Sequence, residues 1–459
     1  MKKNVVLGIA FFVCGMAACF LFATGKKAGI LHLVFLLISS LTFLTFANKE
    51  RFLTKKCKSV LLVAWMGFLL TYNYSSNAFN PKNTMYGTFQ WNSESLVLNM
   101  INARNDGVKD TGAYGLGWYD VETKTTKPYQ SQYGLQGKFF QAVHNVPGKH
   151  IFCYALTALV FSLLVLLLRK KYNALLAFCF FATFLLSPWI VNFARNLYWV
   201  EFTWFVPMLL GLLCSLHRES RKIGWLCAAG VGAAVFVKSL CGYEYLTVIM
   251  LSTVAFLCVD AVSFIANGDR KNAALAMTRA VLLGAFAFAG FCAALLLHAR
   301  LRGDGSLAAG LNSIYRNDVL RRTLGGNPAD FAPVYKDSLA ASVLTVLRKY
   351  YVFYTELVSG VPGRFFLSFS ILPLLIFAYK ATKNRLNVEH VALYAVFYIT
   401  CISWFVFGKS HSYIHTGMNY VLWYFGFVQV CFYVILEQAL AALRFYLPEI
   451  KRQLKETVQ

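Results

Sequence analysis

Apolar runs of about 17–22 residues recur along this chain, and each has the length a helix needs to cross a hydrocarbon core of about 30 Å. In lipid every backbone N–H and C=O must be paired inside the segment, and a helix does this. Hydropathy places spans at about residues 4–24, 29–47, 59–73, 151–168, 173–191, 200–216, 223–241, 245–266, 279–298, 364–381, 390–407 and 420–441. Composition agrees. The chain is 58% hydrophobic, and 14% of its residues are charged, against roughly 45–50% and about 25% in soluble domains. The expected fold is an all-α integral membrane protein of about twelve transmembrane helices, a single polytopic domain over 1–459.

The first run, MKKNVVLGIAFFVCGMAACFLF, is longer than the h-region of a signal peptide and reads as a retained helix. Basic segments at 49–58, 169–171, 218–222, 270–279, 380–385 and 444–455 alternate with poorly basic turns. The positive-inside rule puts them, and both termini, on the cytoplasmic side of the membrane. The net charge of +24 is then a topology signal first, and nucleic acid is not an expected partner. Two long loops, 74–150 and 299–363, fall on the outer side and contain segments such as SLVLNMINA and SLAASVLTVLRKYYVFYTELV. Their spacing suggests amphipathic helices at the membrane face. Both loops lack cysteine, and the 12 cysteines lie in apolar segments or on the inner side, with Cys241 near an outer helix end. No disulfide framework follows. There is no Walker motif and no GxGxxG loop, so activated substrate must come from elsewhere.

Four polar stretches fall on the outer side. QWNSESLVLNM carries Glu94 soon after the third span; FARNLYWVEF carries Arg195 and Glu201 at the tip of an apolar hairpin. FVKSLCGYEYLTV carries Lys238, Tyr243 and Glu244, and GKSHSYIHTGMNYVLWYF carries Lys409, His411, His415 and Asn419. Each has a plain alternative: a helix-cap carboxylate, a self-neutralising Arg195–Glu201 pair within an aromatic belt, a snorkelling lysine, interfacial packing. A His pair four residues apart is weak evidence for metal without a third ligand. Charges at bilayer depth are costly and mark functional sites. Gathered at one face, cations suit a lipid phosphate and a neighbouring carboxylate suits a general base.

With Glu94 in WNSESLVLNM just beyond a spanning helix, Glu201 in a later outer loop, and YQSQYGLQG, KSLCGYEY and SHSYIHTGMNYVLWYF, the chain resembles the GT-C superfamily. These are multi-span glycosyltransferases that take sugar from a polyprenyl-phosphate carrier. The resemblance implies Glu94 and Glu201 as catalytic acids, and a cell-envelope polysaccharide or lipid-linked glycan as acceptor. Arg195, Lys238, Lys409, His411 and His415 would hold the donor phosphate. Trp91, Trp118, Tyr133, Gln136, Tyr243, Glu244 and Asn419 would bind sugar or acceptor, with Tyr114 also placed to stack. Glu94 stands where the family more often has aspartate, and there is no DxD pair. No metal ligand set is assigned, and a divalent metal stays open as cofactor.

Two other classes compete. An O-antigen-type polymerase or ligase would use Arg321 and Arg322, with Lys349 nearby, to bind a diphosphate-linked donor. A transporter would place polar groups near the bilayer midplane on broken helices, whereas the mid-span segments here are mostly free of charge.

Overall fold

The computed structural model describes residues 55–323, 326–352 and 355–458. The spans expected at 4–24 and 29–47 lie outside them. The described chain is mostly helical, with two small antiparallel hairpins. Seven helices are long and apolar enough to cross a membrane, and an eighth span results if one bent pair counts as one.

Helix α1 (Lys55–Ser76) leads into the first loop, which contains α2 (Trp91–Asn105), the hairpin β1 (Gly117–Asp120)–β2 (Thr125–Pro128) and α3 (Leu135–Ala142). The bundle follows: α4 (Lys149–Lys171), the pair α5 (Ala174–Leu186) and α6 (Pro188–Ala194), α7 (Phe202–Leu216), α8 (Arg221–Cys241), α9 (Leu246–Ala266) and α10 (Arg270–Arg302). The second loop contains α11 (Leu307–Ile314), a π-turn at Tyr315–Val319, α12 (Lys336–Ala340), α13 (Val343–Tyr351) and the hairpin β3 (Glu356–Val358)–β4 (Val361–Pro362). Helices α14 (Phe366–Thr382), α15 (Val388–Phe407), the short α16 (Lys409–Ile414) and α17 (Thr416–Asn419), and α18 (Phe427–Val458) complete the chain.

Local chemistry sets these limits. Asn173, Ser220 and Asp269 cap α5, α8 and α10 by accepting from backbone N–H groups of the first turn. Arg169, Lys170 and Lys171 complement the dipole at the end of α4. The expected single span at 173–191 is instead broken at Ser187. Pro188 opens α6 there, cannot continue the preceding helix, and the axis turns by 66°. The span expected at 420–441 also begins later. Gly426 sits at φ 119°, where a Cβ would lie 2.3 Å from the Phe397 ring, and the regular helix starts at Phe427. Helix α7 has 15 residues, short of the roughly 20 that a span needs, and α1 ends in the polar run TYNYSS. At 33 residues, α10 is roughly 50 Å long and extends past the bilayer core.

Helices α7 and α9 approach so closely that a Cβ on Gly211 would meet the Thr253 carbonyl at 1.8 Å. Small residues permit such packing where lipid tails remove the hydrophobic drive between helices. One large core joins α4–α7, α9 and α13–α18, with Trp204, Trp423 and Tyr245 among its fully buried side chains. The first loop is docked on the helix ends: Gly134 N donates to Leu240 O at 3.0 Å, and Gln136 Nε2 donates to Tyr198 O and Cys241 O at 2.9 Å each. Helix α2 likewise buries Leu96, Val97, Met100 and Ile101.

Candidate functional site

The first and second loops meet over the bend between α6 and α7 and enclose a cavity of about 240 Å³. Gln90, just before α2, Ser93 of α2 and Tyr129 line it from the first loop. Tyr198 and Trp199 come from the bend, Glu244 from the α8–α9 turn, and Arg321, Arg322 and Tyr335 from the second loop. His411, Ile414, His415 and Met418 close it from the α16–α17 segment. An apolar groove of about 450 Å³ lies against this cavity, walled by Leu246, Phe291, Leu295, Leu311, Ile314, Val319 and Phe407 among others. Glu244, Arg322 and His411 line both spaces.

The polar wall is one network. Arg322 lies 3.5 Å from Glu244 and 3.5 Å from Asp318; Arg321 lies 3.7 Å from Asp318, and Arg302 pairs with the same carboxylate. Three guanidinium groups therefore face two carboxylates. Gln132 Nε2 donates to Glu244 Oε1 at 2.7 Å and to Tyr198 OH at 2.6 Å. Arg321 Nη1 donates to Tyr335 OH at 3.1 Å. The Arg321 Nε and the Trp199 indole N–H are buried on this wall and have no partner among the described residues. Unpaired buried donors are costly.

Burial works against the charge on Arg322, but Glu244, Tyr129 and Asp318 outweigh it and hold its pKa above the usual value. The two imidazoles go the other way. Burial, then His415, Arg322 and Arg321, push His411 well below the usual histidine range. Burial and Arg322 also lower His415, partly opposed by Glu244. Both rings are therefore neutral near pH 7. Their centroids are 4.5 Å apart. Tyr245 OH donates to Asn419 Oδ1 at 2.9 Å, and Asn419 Nδ2 donates to His411 Nδ1 at 3.3 Å. That chain assigns the His411 proton to Nε2.

The four outer stretches converge on this cavity, though through different side chains than the sequence suggested. Glu94 is 4% exposed and absent from the wall; its Oε1 accepts from Leu197 N at 2.9 Å and from His150 Nε2 at 3.1 Å. Glu201 is fully buried, with both oxygens unpartnered among the described residues and its carboxyl pushed up by burial. The expected Arg195–Glu201 pair does not form among the described residues; Arg195 instead lies over the Tyr86 ring at 5.4 Å. Lys238 Nζ donates to Gly242 O at 2.6 Å, and Lys409 Nζ to Leu339 O and Ala341 O at 2.7 and 2.6 Å. Neither lysine lines the cavity. Lys349 sits 3.6 Å above the Tyr413 ring.

Trp91 and Trp118 are 60% and 47% exposed and lie away from the cavity wall. Tyr133 holds Lys138 over its ring, and Gln136 ties the first loop to the helix ends. Tyr114 packs edge-on against His298, whose Nδ1 accepts from Tyr243 OH at 3.0 Å. Tyr243 lines the apolar groove and Asn419 supports His411 from behind. Only Glu244, His411 and His415 of the expected set face the cavity directly. Asp318 and Gln132 were not singled out by sequence, and Tyr198 was read only as part of an interfacial aromatic belt. Asp318 carries a usable signal, since it stands three and four residues before the Arg321–Arg322 pair. No group of three His, Cys, Asp or Glu placed to hold a metal occurs among the described residues.

The fold and its helices define a polytopic helical membrane protein with an anion-suited cavity at one end of the bundle. Comparison of the chain with protein-family models, with curated proteins and with solved structures returns no match.

Proposed function

We propose that this chain is a membrane glycosyltransferase that moves sugar from a polyprenyl-phosphate carrier to a cell-envelope glycan on the outer face of a bacterial inner membrane. The observation that carries this reading is the shared wall: a cationic cavity and an apolar groove have Glu244, Arg322 and His411 in common. A phosphate joined to a long isoprenoid needs that pairing of spaces, with the headgroup beside the arginines and the tail along Leu295, Leu311 and Phe407.

In the reaction, an acceptor oxygen bonds to the anomeric carbon as the bond from that carbon to the carrier phosphate oxygen breaks. The electron pair leaves on the phosphate, where Arg321 and Arg322 stabilise it. The acceptor proton passes to the Glu244 carboxylate, which replaces Glu94 as the proposed base. His411, protonated at Nε2, donates to the phosphate, and neutral His415 orients the acceptor. The twelve-span topology with cytoplasmic termini belongs to this proposal, because it puts the cavity on the outer side. No metal is required by the residues on the wall.

One observation favours a second reading. Arg302, Arg321 and Arg322 cluster around Asp318, and such a cluster also suits the two phosphates of a diphosphate-linked donor, as a polymerase or ligase requires. Protein in liposomes, given radiolabelled sugar on a polyprenyl monophosphate or diphosphate and a glycolipid acceptor, tests both. Single-sugar transfer from the monophosphate supports the first reading; chain growth or en bloc transfer from the diphosphate supports the second. Transfer from neither donor rejects both.

A further inference from the structure

The other end of the bundle carries a second recess, unconnected with the proposed transfer. Helix α15 starts beside it at Val388 and ends at Phe407 on the apolar groove, so the two sites are a helix length apart. This cleft, of about 940 Å³, lies between the end of α14, the start of α5 and the middle of α18. Four cations line it: Lys380, Lys383, Arg385 and Arg444. Among the residues whose side chains are described, its only acid is Glu437, which already sits 3.0 Å from Lys380. Among those same residues Lys383, Arg385 and Arg444 make no ion pair, so they give the cleft an excess of three positive charges.

Its floor is a set of paired polar groups. Lys380 and buried His390 converge on Glu437 at 3.0 and 3.4 Å; Tyr433 OH meets His390 Nε2 at 3.1 Å and accepts from Asn173 Nδ2 at 2.8 Å. Its rim is apolar and exposed, with Tyr379 and Leu440 at 57% and 40%. A soluble anion has no use for that rim, whereas a phospholipid places its phosphate among the cations and its chains along the apolar surface.

We infer that this cleft binds the headgroup of an anionic phospholipid, held by Lys383, Arg385 and Arg444. The cations supply attraction that salt screens, and the rim selects a lipid over a free phosphate ester.

The test uses the full-length protein in nanodiscs of phosphatidylcholine, with phosphatidylglycerol titrated in. The probes are retained lipid by native mass spectrometry and thermal stability. Phosphatidylglycerol is expected to be retained and to raise the melting temperature, and the K383E/R385E variant to weaken its retention on the order of tenfold or more. K383Q/R385Q, at two exposed positions, checks that folding persists and should give an intermediate loss. Soluble glycerol phosphate is expected to change neither readout. Equal retention by wild type and K383E/R385E overturns the inference, as does a glycerol phosphate effect matching that of the lipid. Neither variant touches the transfer cavity, so sugar-transfer activity in phosphatidylcholine reports separately on the function proposed above.

Discussion

Glu244 and Arg322 meet at 3.5 Å on the wall that divides the polar cavity from the apolar groove. Gln132 Nε2 donates to the same Glu244 oxygen, Oε1, at 2.7 Å. The pair therefore joins the proposed base to the proposed phosphate ligand, and a change in either is felt by both.

Arg322→Ala should raise KM for the lipid donor by tenfold or more, since a charge-assisted hydrogen bond contributes about 1.5–3 kcal/mol. Arg322→Lys should recover only part of that, because an ammonium lacks the fork that reaches Glu244, Asp318 and a phosphate together. Donor-concentration dependence of initial transfer rates checks this.

Gly242→Ala acts through geometry alone. A Cβ there would lie 2.6 Å from Glu244 Oε2 and 3.0 Å from Gln132 Oε1. The carboxylate must move, so kcat should fall well below wild type while membrane insertion persists, at an overpacking cost of about 1–3 kcal/mol. Turnover measured beside thermal stability separates the two effects.

Chain length reads out the groove. Leu295→Trp fills part of the space between Phe291 and Leu311. It should raise KM for a long polyprenyl donor while leaving a donor with a very short chain nearly unaffected. Equal effects on both donors would assign the groove another occupant.

His411 and His415 have folded pKa values below the ordinary histidine range, for the reasons of burial and neighbouring charge given above. The unfolded chain, with values near about 6.5, binds protons that the folded chain resists. Stability at these sites is thus present above that pH and is lost as pH falls through and below it. H411Q/H415Q should flatten the acid limb of a melting-temperature-against-pH curve below about pH 6.5.

Among the described residues hydropathy located seven helices long and apolar enough to span, because membrane spanning is a property of whole segments, and it grouped QWNSESLVLNM, FARNLYWVEF, the Gly242 turn and the His411–His415 segment at one end. It did not resolve the rotation of each side chain. Gln90 and Ser93 face the cavity while Glu94 turns to Leu197 N. Lys238 curls back onto its own helix end at Gly242 O. Ser187–Pro188 divides what reads as one apolar run, because length and hydropathy do not register a proline kink. The Arg321–Arg322 wall depends on the second loop folding back over the bundle, a tertiary contact no local pattern encodes.

The most direct measurement compares Glu244→Gln with Glu94→Gln in the same liposome transfer assay, each normalised to inserted protein. Glu244→Gln should lose on the order of 10²-fold or more in kcat, the range expected for a missing general base. Glu94→Gln keeps an acceptor for Leu197 N and should remain within a few-fold of wild type. Full activity in the Glu244 variant together with an inactive Glu94 variant would contradict the account.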